Sequence, residues 1–241
     1  MSIDRIEKAE RASDTLGIVL PGFLAFRTEE KYLDLARQLN QAGIDALRMT
    51  PEGHLVDDFD YSVYTQTNYL DSLSQIIEEQ RKEYDKLLCL GMCWGALVAL
   101  LYAARHQDID GVVAIMPTRS FIWCNPYDET KTQGWREQGT RLFPGTEWSA
   151  LNKDAVVPFT TVEDAVSYDL LEYAGDITCP VLMIGGSKDT MVPISWLRAL
   201  EGELTNSEVE LAIIDDGHDY DPPRVRGLIG SWVSKHLQAK P

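Results

Sequence analysis

The sequence predicts an α/β fold, a mostly parallel sheet with helices on both faces. Three observations carry this prediction. Short apolar strand candidates alternate with helix candidates along most of the chain. Those strands are apolar on both sides, as strands covered by helices on both faces must be. A cysteine flanked by glycines sits where one such strand turns into an apolar helix. The 241 residues suit one large domain of this kind, and 44% hydrophobic residues are enough for a sizeable core.

Element by element, Leu16 to Leu20 is an apolar run closed by Pro21-Gly22, a strand followed by a turn. Thr28 to Gln41 has apolar residues at 32, 33, 35, 36 and 39 and stops at Gly43, as a helix does. Ile44 to Met49 is the next strand. Val63 to Tyr84 reads as a long amphipathic helix with Leu70, Leu73, Ile76 and Ile77 on one face. Lys86 to Leu90 is a strand ending at Gly91, and Ala96 to Arg105 is apolar almost all round, a buried helix. Gly111 to Met116 is a strand closed by Pro117. The alternation returns at Val181 to Ile184, Ile194 to Leu200, Val209 to Ile214 and Arg224 to Leu237. Residues 118–175 carry no clear strand and are too long for an ordinary loop, so they read as an inserted lid or cap between core segments 1–117 and 176–241.

Charge and cysteine usage narrow the function. Twenty-two basic against 38 acidic residues leave a net charge of −16. Such a surface repels nucleic acid and anionic membranes, so neither is expected as a partner. The opening residues, MSIDRIEKAERASD, have no apolar signal-peptide core, and the longest apolar run, Ala96 to Ala104, is far short of a membrane span. Cysteines at 89, 93, 124 and 179 form no CxxC pair, and the four histidines have no metal-ligand spacing. The expectation is a cytoplasmic protein with no metal and no cofactor.

The chemistry concentrates at Leu88-Cys89-Leu90-Gly91-Met92-Cys93-Trp94-Gly95-Ala96. A nucleophile on a tight strand-to-helix turn needs small residues two before and two after it, because the chain crowds itself there. The turn lifts the side chain clear of the sheet and places it at a helix N-terminus, where the dipole favours a thiolate. A glycine-flanked core cysteine is the competing reading. Asp189, in Gly186-Ser187-Lys188-Asp189-Thr190-Met191-Val192-Pro193, and His218, in Gly217-His218, each follow a strand, where parallel sheets place their sites. His218 would move the proton of Cys93, and Asp189 would fix the imidazole. Asp189 as a turn cap and His218 as a surface loop residue are the plain alternatives. The backbone N–H groups of Phe23 and Trp94 are the candidate oxyanion donors.

These segments together resemble an α/β-hydrolase: Leu20-Pro21-Gly22-Phe23, the elbow Gly91-Met92-Cys93-Trp94-Gly95, the Asp189 loop and Gly217-His218, in the order nucleophile, acid, base. The resemblance runs from about residue 14 to 238. It implies an acyl-enzyme mechanism and, with little chain before the first strand, a reduced sheet of about six strands. Most members carry serine at the elbow and histidine before the first glycine, where this chain has Cys93 and Pro21. Cysteine at the elbow is similar to dienelactone hydrolases, polyester synthases and some acyl-transferring thioesterase domains. The glutamate that dienelactone enzymes carry near the end of the first strand is absent here.

The expected activity is hydrolysis of a carboxylic ester or thioester through Cys93, His218 and Asp189. The alternatives are acyl transfer or condensation by the same triad, or a binding protein on the hydrolase fold. A dinucleotide-binding domain is disfavoured, since no G-x-G-x-x-G follows the first strand. The substrate would be a small acyl compound; a carrier protein as partner is not indicated, since docking to so acidic a chain would need a local basic patch, for which Lys and Arg of 119 to 153 are the only loose cluster near the cap. Phe121, Trp123, Trp135 and Trp148, with Phe143, could line an acyl pocket or form the cap's own core. Arg119, Arg136 and Arg141 could receive a carboxylate or be paired, and His54 could line the site or serve its loop. Cys124 and Cys179 read as packing residues.

Overall fold

The computed structural model describes residues 6–55, 58–121, 129–148 and 153–237. In chain order, β1 (Thr15–Leu20) leads to α1 (Glu30–Gln41) and β2 (Asp45–Arg48). A small hairpin, β3 (His54–Leu55) and β4 (Asp58–Phe59), precedes α2 (Gln66–Gln80). Then come β5 (Lys86–Met92), α3 (Trp94–His106) and β6 (Gly111–Ile115). The next stretch holds α4 (Glu129–Gln138), β7 (Thr140–Phe143), α5 (Gly145–Trp148), β8 (Ala155–Pro158), α6 (Thr160–Ala165) and α7 (Leu170–Tyr173). The chain re-enters the sheet as β9 (Val181–Gly186), followed by α8 (Ile194–Glu203), β10 (Val209–Ile214) and α9 (Pro223–His236).

Six strands form one sheet in the order β10-β9-β6-β5-β1-β2, every neighbour parallel. This matches the parallel sheet of about six strands that the sequence leads one to expect. The interior strands β1, β6 and β9 are buried at every residue, as the unbroken apolar runs predict. β10 is an edge strand and is mostly half-buried. Helix α3 is buried from Trp94 to Ala104, which explains its lack of a polar face. α2 starts where Thr65 accepts a hydrogen bond from the Asn68 N–H at 3.2 Å, an N-cap. Register sets Leu20 beside Gly91 and Met92 beside Ile115, so the loops after β1, β5 and β6 leave the sheet side by side.

The expectation of no strand in 118–175 is corrected. β7 and β8 pair antiparallel, with Leu142 opposite Val156. Each strand is only four residues long, and Leu142 and Val156 are 54% and 52% exposed while Phe143, Ala155 and Val157 are buried. An alternation this short leaves too little signal to separate a strand from a loop. Two polar clusters tie this stretch to the rest. Arg119 binds Asp169 through Nε and Nη2 at 2.8 and 2.5 Å, and Thr67, ahead of α2's second turn, bonds Asp164 and Tyr168 of the α6 region. Trp123 and Cys124 lie outside the described residues.

At the other end of the sheet, Asp45 opens β2 with a buried carboxylate. It accepts from the Ala9 N–H, Lys8 Nζ and Tyr84 Oη, each at 2.8 Å, and so straps residues 7–9 to the sheet. Burial opposes the charge, but these three donors outweigh it and hold Asp45 below the usual carboxylate range. Its contribution is therefore present above the unfolded value and lost as pH falls through the lowered one. Asp45→Ala should cost about 1–3 kcal/mol in urea denaturation at pH 7, and the difference from the parent should shrink as the pH falls below the ordinary carboxylate range.

Candidate active site

The elbow is built by collision avoidance. Cys93 sits at φ 53°, ψ −115°, a backbone conformation that a residue with a Cβ rarely adopts. A Cβ on Gly91 would lie 2.3 Å from the Gly95 carbonyl oxygen, and one on Gly95 would lie 2.3 Å from the carbonyl oxygen of Leu20. Both glycines are therefore required for β5, α3 and the end of β1 to meet. The Cys93 N–H donates to the Ile115 carbonyl at 2.9 Å, and its carbonyl accepts from Ala96 and Leu97 at 3.1 Å, fixing the turn between strand and helix.

Asp189 is held by the loop after β9. Its Oδ1 accepts from the N–H groups of Met191 and Val192 at 2.7 and 2.9 Å. Its Oδ2 lies 2.7 Å from Nδ1 of His218. One buried carboxylate thus caps the turn with one oxygen and meets the imidazole with the other. Burial opposes its charge, and His218 with the two N–H groups holds its pKa below the ordinary value nonetheless.

His218 follows β10 on a loop shaped by Asp216, whose oxygens accept from the Gly217 and Asp221 N–H groups at 2.9 Å. Burial works against the imidazolium. The hydrogen bonds and charges of Asp189 and Cys93 overcome it and hold His218 up at about 10. With Nδ1 taken by Asp189, Nε2 is the nitrogen left to meet the Cys93 sulfur.

Cys93 and His218 line one cavity of about 500 Å³ with Gly22, Phe23, Tyr32 and Met92. Its rim carries the carboxylates of Glu29, Glu147 and Asp219 around one ammonium, Lys31, which lies 3.6 Å from Glu29 and 3.2 Å from Asp219. The Trp94 N–H opens α3 and precedes the first intrahelical bond, and Phe23 follows β1 on the facing loop. The two candidate oxyanion donors therefore come from adjacent strands.

Several expected residues are placed elsewhere. Phe121 and Trp135 are buried and do not line this cavity. Phe121 packs edge-on against Phe23 and Trp94 at 4.9 and 5.3 Å, and Trp135 stands against Phe143 at 5.4 Å with its indole N–H on the Val157 carbonyl. They form an aromatic layer behind the cavity wall. Trp148 belongs to α5, and nothing of its side chain is described. Arg136 and Arg141 stack on aromatic rings, Arg136 on Phe159 and Arg141 on Trp135 and Phe143. His54 is buried against Phe26 at 4.3 Å, where burial pushes its pKa down to about 4 despite a backbone contact at Leu24. Far from the cavity, Glu208, Glu210 and His236 converge, with the Lys235 ammonium 2.8 and 2.6 Å from the two carboxylates.

Sequence reasoning missed three tyrosines around the loop after β1. Tyr32 Oη accepts from the Gly22 N–H, Tyr64 Oη accepts from the Leu24 N–H, and Tyr69 Oη donates to the Pro21 carbonyl, all at 2.9 Å. No local signal marks them, because each bond spans at least ten residues of chain. Among the described residues, no helix is long and apolar enough to cross a membrane.

Comparison with known proteins gives a consistent result. The curated relatives include the uncharacterized 31.7 kDa protein in the traX-finO intergenic region of Escherichia coli, 30% identical over 90 residues. That match covers 35% of this chain and 32% of the relative, so it spans about a third of the relative's length. Similar solved structures include GrgF, an α/β-hydrolase from Penicillium sp. sh18 (TM-score 0.80, 16% identity, 96% of this chain and 93% of that one). They also include Est1E from Butyrivibrio proteoclasticus with ferulic acid bound (0.77, 18%, 97% and 94%) and a metagenome-derived lipolytic enzyme of the LipS and LipT pair (0.78, 15%, 96% and 97%). At these identities the similarity is one of fold. The family described as serine aminopeptidase, S33, matches residues 22–145, more than half the chain, from the loop after β1 through the elbow and beyond β6. With that match and the parallel six-stranded sheet, the chain belongs to this family of α/β-hydrolases.

Proposed function

We propose that the protein hydrolyses a carboxylic ester or thioester through a Cys93-His218-Asp189 triad. One arrangement supports this reading above the others: Cys93 at a strained elbow shares a cavity with an imidazole whose far nitrogen is 2.7 Å from a buried carboxylate. Cys93 Sγ attacks the acyl carbon, and the Phe23 and Trp94 N–H groups receive the developing oxyanion. The tetrahedral intermediate collapses as the bond to the leaving group breaks and the His218 imidazolium gives that group its proton. Water then attacks the thioester while neutral His218 takes its proton, releasing the acid and the Cys93 sulfur. Residues 118–175 act as the cap over this site, since Thr146 and Glu147 of that stretch reach the cavity rim. Est1E, which binds ferulic acid, is an example of the fold holding a small acyl compound. Three rim carboxylates disfavour anionic acyl donors, so the reading centres on uncharged small esters and thioesters.

Intact mass after exposure to activated acyl esters tests the nucleophile. A mass gain on the parent that decays in water, and no gain on Cys93→Ala, is the expected result. A gain that persists in water and clears on adding an amine would make the protein an acyltransferase. His218→Ala should slow acylation at least about a thousandfold.

The proton inventory makes a second prediction. His218 is raised, so its charged form should persist from acid pH up to about 10 in an NMR titration of the ring. In Asp189→Asn the largest favourable cause is gone while burial stays. The titration should then move several pH units to the acid side, and the alkaline fall of acylation should move with it.

A further inference from the structure

The loop that carries the Phe23 N–H is held by side chains and not by a sheet or helix. Gly22 and Leu24, on either side of Phe23, each donate their N–H to a tyrosine hydroxyl: Tyr32 of α1, which also lines the cavity, and Tyr64, which precedes α2. Tyr69 of α2 grips the Pro21 carbonyl from below. Leu24 has φ 54°, a left-handed conformation unfavourable for a residue with a branched side chain. Such a residue keeps its shape only when its surroundings over-determine it. The Cβ that Gly22 lacks would stand 3.4 Å from Cys93 Cβ and from the Met92 carbonyl oxygen and 3.5 Å from Tyr32 Oη, ordinary contact distances. Gly22 thus lies within van der Waals reach of both Cys93 and Tyr32.

We infer that Tyr32 and Tyr64 are positioning residues for the reaction: by fixing the N–H groups on both sides of Phe23, their hydroxyls aim the Phe23 N–H at the substrate oxygen. The inference rests on the acyl-enzyme reading above. Both hydroxyls are neutral at any working pH, because burial drives them well above the ordinary phenol value and the backbone N–H contacts only partly offset it. They are therefore constant acceptors. Tyr32 Oη also lies 3.9 Å from Met92 Sδ, a weak contact that ties it to the residue before the nucleophile. A rigid ring reaching from a helix to a loop is suited to this task, since only two torsions must be fixed to place the oxygen. Removing either hydroxyl leaves a buried N–H without an acceptor, and the loop must shift to hydrate it.

The test separates aim from folding by comparing two reactions of the same sulfur. Acylation by an activated ester passes through an oxyanion, whereas alkylation by iodoacetamide displaces iodide at a saturated carbon and needs no oxyanion donor. Tyr32→Phe and Tyr64→Phe should each slow acylation about ten- to a hundredfold while alkylation stays within about twofold. The double variant should lose no more than one donor is worth, about a thousandfold, because both hydroxyls act through one N–H. Tyr84→Phe removes hydroxyl contacts at the opposite end of β5 and should change neither rate. Equal acylation in all these proteins would overturn the inference and leave the proposed function standing. Parallel loss of acylation and alkylation would make the tyrosines structural only and overturn it too. Absence of any acyl adduct on the parent chain would overturn the proposed function, and the inference with it.

Discussion

Cys93 occupies a region of backbone space that its Cβ disfavours, and this local strain sets the terms for its surroundings. A strained residue relaxes unless neighbours on every side prevent it. Here the neighbours are backbone. The Gly91 Cα faces the Gly95 carbonyl, the Gly95 Cα faces the carbonyls of Leu20 and Pro21, and Ile115 takes the Cys93 N–H. Three adjacent strands are thus locked to one another through the elbow. The same crowding that makes the glycines obligatory brings the loop after β1 against Cys93. Strain at Cys93 and the closeness of Gly22 to it are two results of one packing problem.

That relation explains why the core of the site was legible in the sequence. Gly91-Met92-Cys93-Trp94-Gly95 encodes both a candidate nucleophile and a geometry within five consecutive residues, and both glycines have steric reasons that any reader of the sequence can reconstruct. Asp189 and His218 were legible because parallel strands end on the same side, so a loop position predicts a place in space. The tyrosines were not legible. Tyr32, Tyr64 and Tyr69 act at sequence separations of 10, 40 and 48 residues, and in one dimension each looks like an ordinary apolar position on or beside a helix. Phe121 and Trp135 fail for a related reason: aromatic composition reports that an apolar layer exists, and says nothing of which side of Phe23 it lies on. The β7–β8 pair was missed because its period-two pattern is spread over two segments of four residues.

Electrostatics add a second constraint on the proposed chemistry. His218 is charged in the resting arrangement because two neighbours favour the imidazolium, the Asp189 carboxylate and the Cys93 sulfur. A histidine held at about 10 is well suited to give a proton to a leaving group and poorly suited to take one from water. Hydrolysis needs both. The conflict resolves within the proposed cycle. When the acyl group is attached, Cys93 is a neutral thioester and one of the two favourable neighbours has vanished, while the proton itself has left with the first product. Burial, which always opposed the charge, then weighs more heavily against the remaining partner Asp189. The imidazole is driven toward its neutral form at the step where a base is required. In the proposed cycle, acylation thus removes one of the two interactions that keep His218 protonated, just before the step that needs a base.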